Sequence, residues 1–189
     1  MKKIAVFASG SGSNAQNIME YFRHKPSVSV EVILSNKADA YVLERAKNFK
    51  VPSYVFDRES FYNTDTVLNI LKDHKIDLIV LAGFLWLVPD NLLKNYPSRI
   101  INIHPALLPK YGGKGMYGDR VHEAVVANRE KESGITIHYI NERYDEGDII
   151  FQARCKVEPV DTASDVASKV HALEYEHFPR VIDELVSRM

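Results

Sequence analysis

Asn102 and His104 stand two residues apart at the end of an apolar run, Arg99-Ile-Ile-Asn-Ile-His104, and prolines follow at 105 and 109. An amide can donate and accept hydrogen bonds, and an imidazole titrates near neutrality. Together they can bind a carbonyl oxygen and move a proton. Pro105 has no N–H and cannot continue a central ladder, which predicts a strand ending beside His104. The pair should then lie at the carboxyl end of a parallel strand, where open α/β sheets bind ligands.

Further groups have the right chemistry to assist. Ser9-Gly-Ser-Gly-Ser-Asn14 follows an apolar run and opens a helical pattern. Backbone N–H groups at such a turn, with the helix dipole, form an anion nest suited to phosphate. Gly10 and Gly12 permit the turn, and Ser13 or Asn14 can cap the helix or donate to the anion. A side chain at Gly12 should fill the nest. As a dinucleotide fingerprint, Gly10-x-Gly12-x-x-Ala15 is partial. The second strand, ending Leu34-Ser-Asn-Lys37, lacks the acidic ribose ligand, and no Gly-Lys-Ser/Thr follows. A monophosphate is favoured, with a purely structural turn as the alternative.

The turn Tyr144-Asp-Glu-Gly-Asp148 suits Asp and Gly on backbone grounds alone and lacks calcium-loop spacing. Its functional reading is a carboxylate beside an imidazole, raising the ring's pKa so that it can donate to an oxyanion. Glu174, four residues after Val170, falls at the edge of an apolar stripe, where a carboxylate needs a partner or a ligand. His138 alternates with Thr136 and Ile140 and admits either a polar-face or a core reading. His24, His74, His122, His171 and His177 read as solvated, and His122-Glu123 lacks the second His of a helical zinc motif.

Short apolar runs and amphipathic segments alternate along the chain. Ile4–Ala8, Val28–Leu34, Ser53–Phe56, Leu78–Ala82 and Ile100–Ile103 read as strands. Asn14–His24, Ala40–Phe49, Ser60–Lys75 and Asp90–Tyr96 read as helices. This rhythm predicts an α/β fold with a doubly wound, mostly parallel sheet. After residue 110 come a glycine-rich loop, Tyr111–Gly118, and a helix over Asp119–Asn128. Strands Gly134–Ile140 and Asp148–Val157 then read as a C-terminal antiparallel hairpin. A last helix begins near Thr162 or Ser164.

The chain has 189 residues, 24 basic and 25 acidic, with a formal net charge of −1. That length supports one domain with a substantial core, and scattered basic residues give no nucleic-acid footprint. The single cysteine, Cys155, excludes an internal disulfide or multi-cysteine metal site and reads as a buried strand thiol. No segment is long and apolar enough to span a bilayer, and the start reads as no signal peptide. A cytoplasmic protein is expected.

Taken together, these residues resemble the folate-dependent glycinamide ribonucleotide formyltransferases nearly end to end. The similarity rests on Ser9–Asn14, Ser35–Ala40, Leu81-Ala-Gly-Phe84 and Asn102-x-His-Pro-x-Leu-Leu-Pro109. The resemblance implies a Rossmann-like formyltransferase domain over 1–189, with 10-formyltetrahydrofolate as co-substrate and no metal. Glycinamide ribonucleotide would be the acceptor, and the protein a monomer or homodimer. Asn102 would hold the formyl oxygen, protonated His104 would stabilise the oxyanion, and Asp145 would keep that imidazole charged. Gly12, Ser13 and Asn14 would bind phosphate and Glu174 the glycinamide end. Leu85, Trp86, Leu87 and Val88, with Asn102 and the turn at Asp145, would form the pterin pocket. Trp86 departs from a basic residue common in bacterial relatives, and Arg58 is a candidate substitute for its contact with the folate tail. The loop Gly112–Gly118 is also longer and richer in glycine than usual. Rival readings are a formyl-folate hydrolase, a methionyl-tRNA formyltransferase and a dinucleotide-sensing module. The first two would carry additional domains, and the third lacks its acidic ribose ligand.

Overall fold

The computed structural model describes residues 1–189. One seven-stranded sheet runs through it in the order β3-β2-β1-β4-β5-β6-β7. The strands are β1 (Lys2–Phe7), β2 (Val28–Ser35), β3 (Ser53–Val55), β4 (Leu78–Leu81), β5 (Ile100–His104), β6 (Glu132–Tyr139) and β7 (Ile149–Lys156). The helices are α1 (Ser13–Phe22), α2 (Val42–Asn48), α3 (Arg58–Tyr62), α4 (Thr66–Asp73), α5 (Asp90–Asn95), α6 (Asp119–Ala127) and α7 (Ala163–Ser187). The first five strands pair in parallel, and β6 and β7 add antiparallel. This is the expected α/β, doubly wound sheet with a C-terminal hairpin.

Both faces of the parallel part are covered, which explains its unbroken apolar strands. Ile4, Val6, Val80, Ile101 and Ile103 pack under α1, α2, α6 and α7. Ala5, Phe7, Ile79, Leu81 and Ile100 pack under α3, α4 and α5. Cys155 is half-buried on the edge strand β7, less covered than expected, and its thiol packs against the first cluster. The helix expected over Ser60–Lys75 is broken into α3 and α4. Polar side chains between them hydrogen-bond locally: Asn63 Nδ2 to Glu59 at 2.6 Å, and Thr64 Oγ1 to the Ser60 carbonyl at 3.0 Å. Such bonds offer the backbone an alternative to helix.

Strand order reverses between β1 and β4, opening a crevice at their carboxyl ends. Two bonds fasten it: the Ser9 N–H donates to the Gly83 carbonyl at 3.0 Å, and the Leu85 N–H to Ser9 Oγ at 3.0 Å. Helix α7 closes over α1 through a proline. Pro179 removes the N–H that would reach the Tyr175 carbonyl. Asn17 Nδ2 of α1 donates to that carbonyl instead, at 2.9 Å. Thr162, one of the two expected starts, caps α7 with a reciprocal Asp165 bond.

Gly12 precedes α1 with φ of +74°, a conformation L side chains rarely adopt. A Cβ there would collide with the Val42 side chain, so it would strike α2 and not the nest. The expected filling of the nest is thus corrected: the glycine is needed because two elements close on it. Gly12→Ala should cost about 1–3 kcal/mol of stability, read as a lower urea midpoint with unchanged slope. An unaltered midpoint would show that α2 yields freely.

Candidate active site

A cleft of about 610 Å³ runs across the carboxyl edge of the sheet, from the β1–α1 turn past β5 to the β4–α5 segment. Gly12, Ser13, Asn14, Leu85–Val88, Asn102, His104, Asp145 and Glu174 all line it.

The centre is built by strand register. Asn102 and His104 share the parity of Ile100, and the antiparallel β6 places His138 opposite Asn102 and Thr136 opposite His104. One sheet face therefore carries four polar side chains in a square. A bulge in the β6–β7 pairing falls at Ile137/His138, a device common beside active sites. Thr136 also fixes the turn after His104. Its hydroxyl donates to the Ala106 carbonyl at 2.7 Å and accepts from the Leu108 N–H at 3.0 Å and from Gln152 Nε2 at 2.9 Å.

The β6–β7 connection brings Asp145 back over this square, with φ of +55° at the aspartate. Its Oδ2 lies 3.5 Å from His104 Nδ1 and accepts the Gly113 N–H at 3.0 Å. Its Oδ1 lies 3.6 Å from His138 Nε2. Burial pushes the Asp145 pKa up, but the two imidazoles and the Gly113 amide push it down further, so the carboxyl sits below its ordinary value. It is ionised at neutral pH.

His104 donates from Nε2 to the Tyr111 carbonyl at 2.7 Å while Nδ1 faces Asp145. Both ring nitrogens face acceptors, an arrangement suited to an imidazolium. Burial nevertheless opposes the charge and outweighs Asp145, holding the His104 pKa below its ordinary value of 6.5. The expectation that the carboxylate raises this pKa is thus corrected. Asp145 pulls upward, but His104 is only 4 % exposed and desolvation wins.

His138 was open to two readings and proves to be buried, with a polar task. Its Nδ1–H donates to the Tyr139 carbonyl at 2.9 Å, so the neutral ring's Nε2 accepts from Asn102 Nδ2 at 3.2 Å.

At one end of the cleft, α1 has no capping side chain and no acidic residue in its first turn. Its first amides are left for an anion. The nest is braced from outside by Arg45, whose Nε donates to the Ser11 carbonyl at 2.7 Å. Glu174 is buried, and its Oε2 accepts from both Asn14 Nδ2 and His171 Nδ1, each at 2.9 Å. His122, expected to be solvated, is instead 2 % exposed and lines the cleft beside His171. Its stripe-mates Val121 and Val125 were a usable signal for that burial.

The other end is apolar. Leu85 and Trp86 are partly open, whereas Val88 is buried in the core. Leu87 contributes a carbonyl that already accepts the Tyr62 hydroxyl at 2.8 Å. Trp86 packs against Phe56, Phe61 and Phe84, and the Arg58 guanidinium stacks on it at 4.6 Å.

An anion nest, a polar centre and an apolar slot in one cleft suit transfer of a group between two bound molecules. Known proteins match this architecture along its length. A family model described as formyl transferase matches residues 2–182. Phosphoribosylglycinamide formyltransferase of Bacillus subtilis (strain 168) is 37 % identical, over 98 % of this chain and 95 % of its own. The crystal structure of phosphoribosylglycinamide formyltransferase from Streptococcus pneumoniae TIGR4 superposes with a TM-score of 0.85 at 38 % identity, covering 98 % of this chain and 99 % of that one. The one from Anaplasma phagocytophilum gives 0.90 at 31 % identity, covering 98 % and 87 %. With its fold, its cleft and nearly its whole length in common with these proteins, the chain belongs to the formyl transferase family.

Proposed function

We propose that this protein transfers the formyl group of 10-formyltetrahydrofolate to the amine of glycinamide ribonucleotide, as a single cytoplasmic domain in purine synthesis. The observation that carries this reading is that Asn102, His104 and Asp145 line one cleft together with the α1 nest and the apolar slot at Trp86. Gly12, Ser13 and Asn14 take the phosphate, and Glu174 takes the glycinamide end. Leu85–Val88, with Asn102 and the turn at Asp145, take the pterin.

In this reading the substrate amine attacks the formyl carbon directly, and the enzyme supplies position and charge. The second hydrogen of Asn102 Nδ2, not used by His138, meets the formyl oxygen. His104 Nε2 is held by the short Tyr111 bond, whereas Nδ1 makes only a 3.5 Å contact with Asp145. The Nδ1 proton is therefore the one left to a developing oxyanion. A ring whose pKa is lowered by burial is a stronger acid once charged, which favours donation. Asp145 compensates that charge. As the intermediate collapses, the carbon–nitrogen bond to the folate breaks, and the proton lost by the amine passes to the leaving nitrogen.

Steady-state turnover, followed by the absorbance of the folate product with and without glycinamide ribonucleotide, should be acceptor-dependent. Turnover without acceptor would make the protein a hydrolase instead. His104→Ala and the isosteric Asp145→Asn should each lower kcat by about a hundredfold or more while retaining a native melting transition. Losses of only a few-fold in both would remove their assigned roles.

The titration of His104 can be followed by NMR of its ring proton. Its midpoint should lie below 6.5, because burial disfavours the imidazolium. Asp145→Asn removes the charge that pulls it upward, so the midpoint should fall further. A rise in that variant would contradict the electrostatics described above.

A further inference from the structure

The α1 nest lacks a cation of its own. Arg45 lies behind it, bonded to Ser11 and to Gln16, and stacks on Tyr41. The Lys and Arg side chains on the cleft wall are Lys114 of the glycine-rich loop, Arg120 in the first turn of α6 and Arg143 of the hairpin turn. One imidazole, by contrast, is linked to α1 through a carboxylate. His171 of α7 and Asn14 of α1 share a single oxygen, Glu174 Oε2, each at 2.9 Å. His171 is thus tied to the first turn of α1 through one buried atom. His122 of α6 stands edge-on to it, with ring centroids 6.3 Å apart. His122 Nδ1 is buried and has no partner, and neither has Asn14 Oδ1. A polar atom left without a partner in so closed a place is costly, and a bound group supplying the missing hydrogen bond would relieve that cost.

We propose that His171 and His122 are two further contacts to the phosphate-bearing end of the substrate. His171 supplies the nest's missing cation and His122 a neutral hydrogen bond, so that nucleotide affinity is linked to proton uptake. The proposal rests on the ribonucleotide reading above. Around His171, its own helix presents Glu174 and the stacked Tyr175, α6 presents His122 and Asp119, and α1 presents the neutral Asn14. The bond to Glu174 holds the His171 pKa above the usual histidine value despite partial burial. Burial and the nearby His171 keep that of His122 below it. Charge is therefore favoured on the first ring and disfavoured on the second. An arriving phosphate dianion adds negative charge beside His171 and draws a proton onto it when the ring is neutral.

The test is calorimetric binding of glycinamide ribonucleotide and of its phosphate-free riboside, in two buffers of different ionisation heat, between about pH 6.5 and 8.5. Wild-type protein should take up protons with the ribonucleotide, and its affinity should fall as pH rises. His171→Gln should bind the ribonucleotide roughly tenfold to a hundredfold more weakly, the loss of a charge-assisted hydrogen bond. It should show no proton uptake and should bind the riboside as wild type does. His122→Leu should bind the ribonucleotide more weakly while melting no lower than wild type, because it removes an unmet polar atom. Equal ribonucleotide affinity and equal pH dependence in wild type and His171→Gln would overturn the proposal and leave the formyl-transfer reading standing. A higher melting temperature with unchanged affinity in His122→Leu would overturn the role of that residue. Wild-type protein that neither binds nor turns over the ribonucleotide would bring down the parent reading together with this one.

Discussion

Much of this molecule can be understood as the means of keeping one carboxylate ionised where burial opposes its charge. An uncompensated ion in a protein interior costs several kcal/mol, and losing one partner of a buried pair costs about 3–5 kcal/mol. Asp145 is compensated by His104 of β5 and the amide of Gly113, and His138 of β6 stands 3.6 Å from its other oxygen. None of these is its neighbour in sequence. The reversal of strand direction at β6, the bulge at Ile137/His138 and the left-handed backbone at Asp145 are the geometric conditions for their meeting. The polar square is thus a property of the sheet, and the turn Pro105–Pro109 is secured by Thr136 of β6 and Gln152 of β7.

The parallel half of the sheet performs the complementary task of separating two kinds of surface. Its switch point lets the β1 loop run to the α1 nest and the β4 loop run to the aromatic cluster around Phe84 and Trp86. Ser9 joins the two through its backbone N–H and its hydroxyl, so the loops are fastened to each other. A polar ligand and an apolar one can therefore be held at fixed separation across the edge of β5.

The amino-acid pattern reveals the periodic parts of this design more readily than the paired ones. Alternating apolar runs and helical stripes announce the sheet and most helices, because burial imposes those periods directly. The strand end at His104 is legible from Pro105, and the start of α7 is legible to within two residues, near Thr162 or Ser164. The break at Asn63–Asp65 is not, since its cause is a set of local side-chain bonds competing with an otherwise adequate helix. His138 and Asn102 face each other only through an antiparallel register that neither strand encodes by itself. His122 and His171 meet because α6 and α7 pack together, a contact without sequence locality. The sign of the His104 shift was missed for a related reason: a neighbouring carboxylate can be guessed from residue types, but the depth of burial that outweighs it comes from the completed fold.

The aromatic cluster has a spectroscopic consequence. Trp86 is the chain's only tryptophan, and it stands at the apolar mouth of the cleft with a guanidinium stacked on its ring. Intrinsic indole emission from this protein is therefore a local signal from a single address. It responds to whatever displaces Arg58 or enters beside Phe84, while events at the opposite end of the cleft leave it largely dark. The fold thus carries its own optical probe for one of its two ligands, with no label to attach.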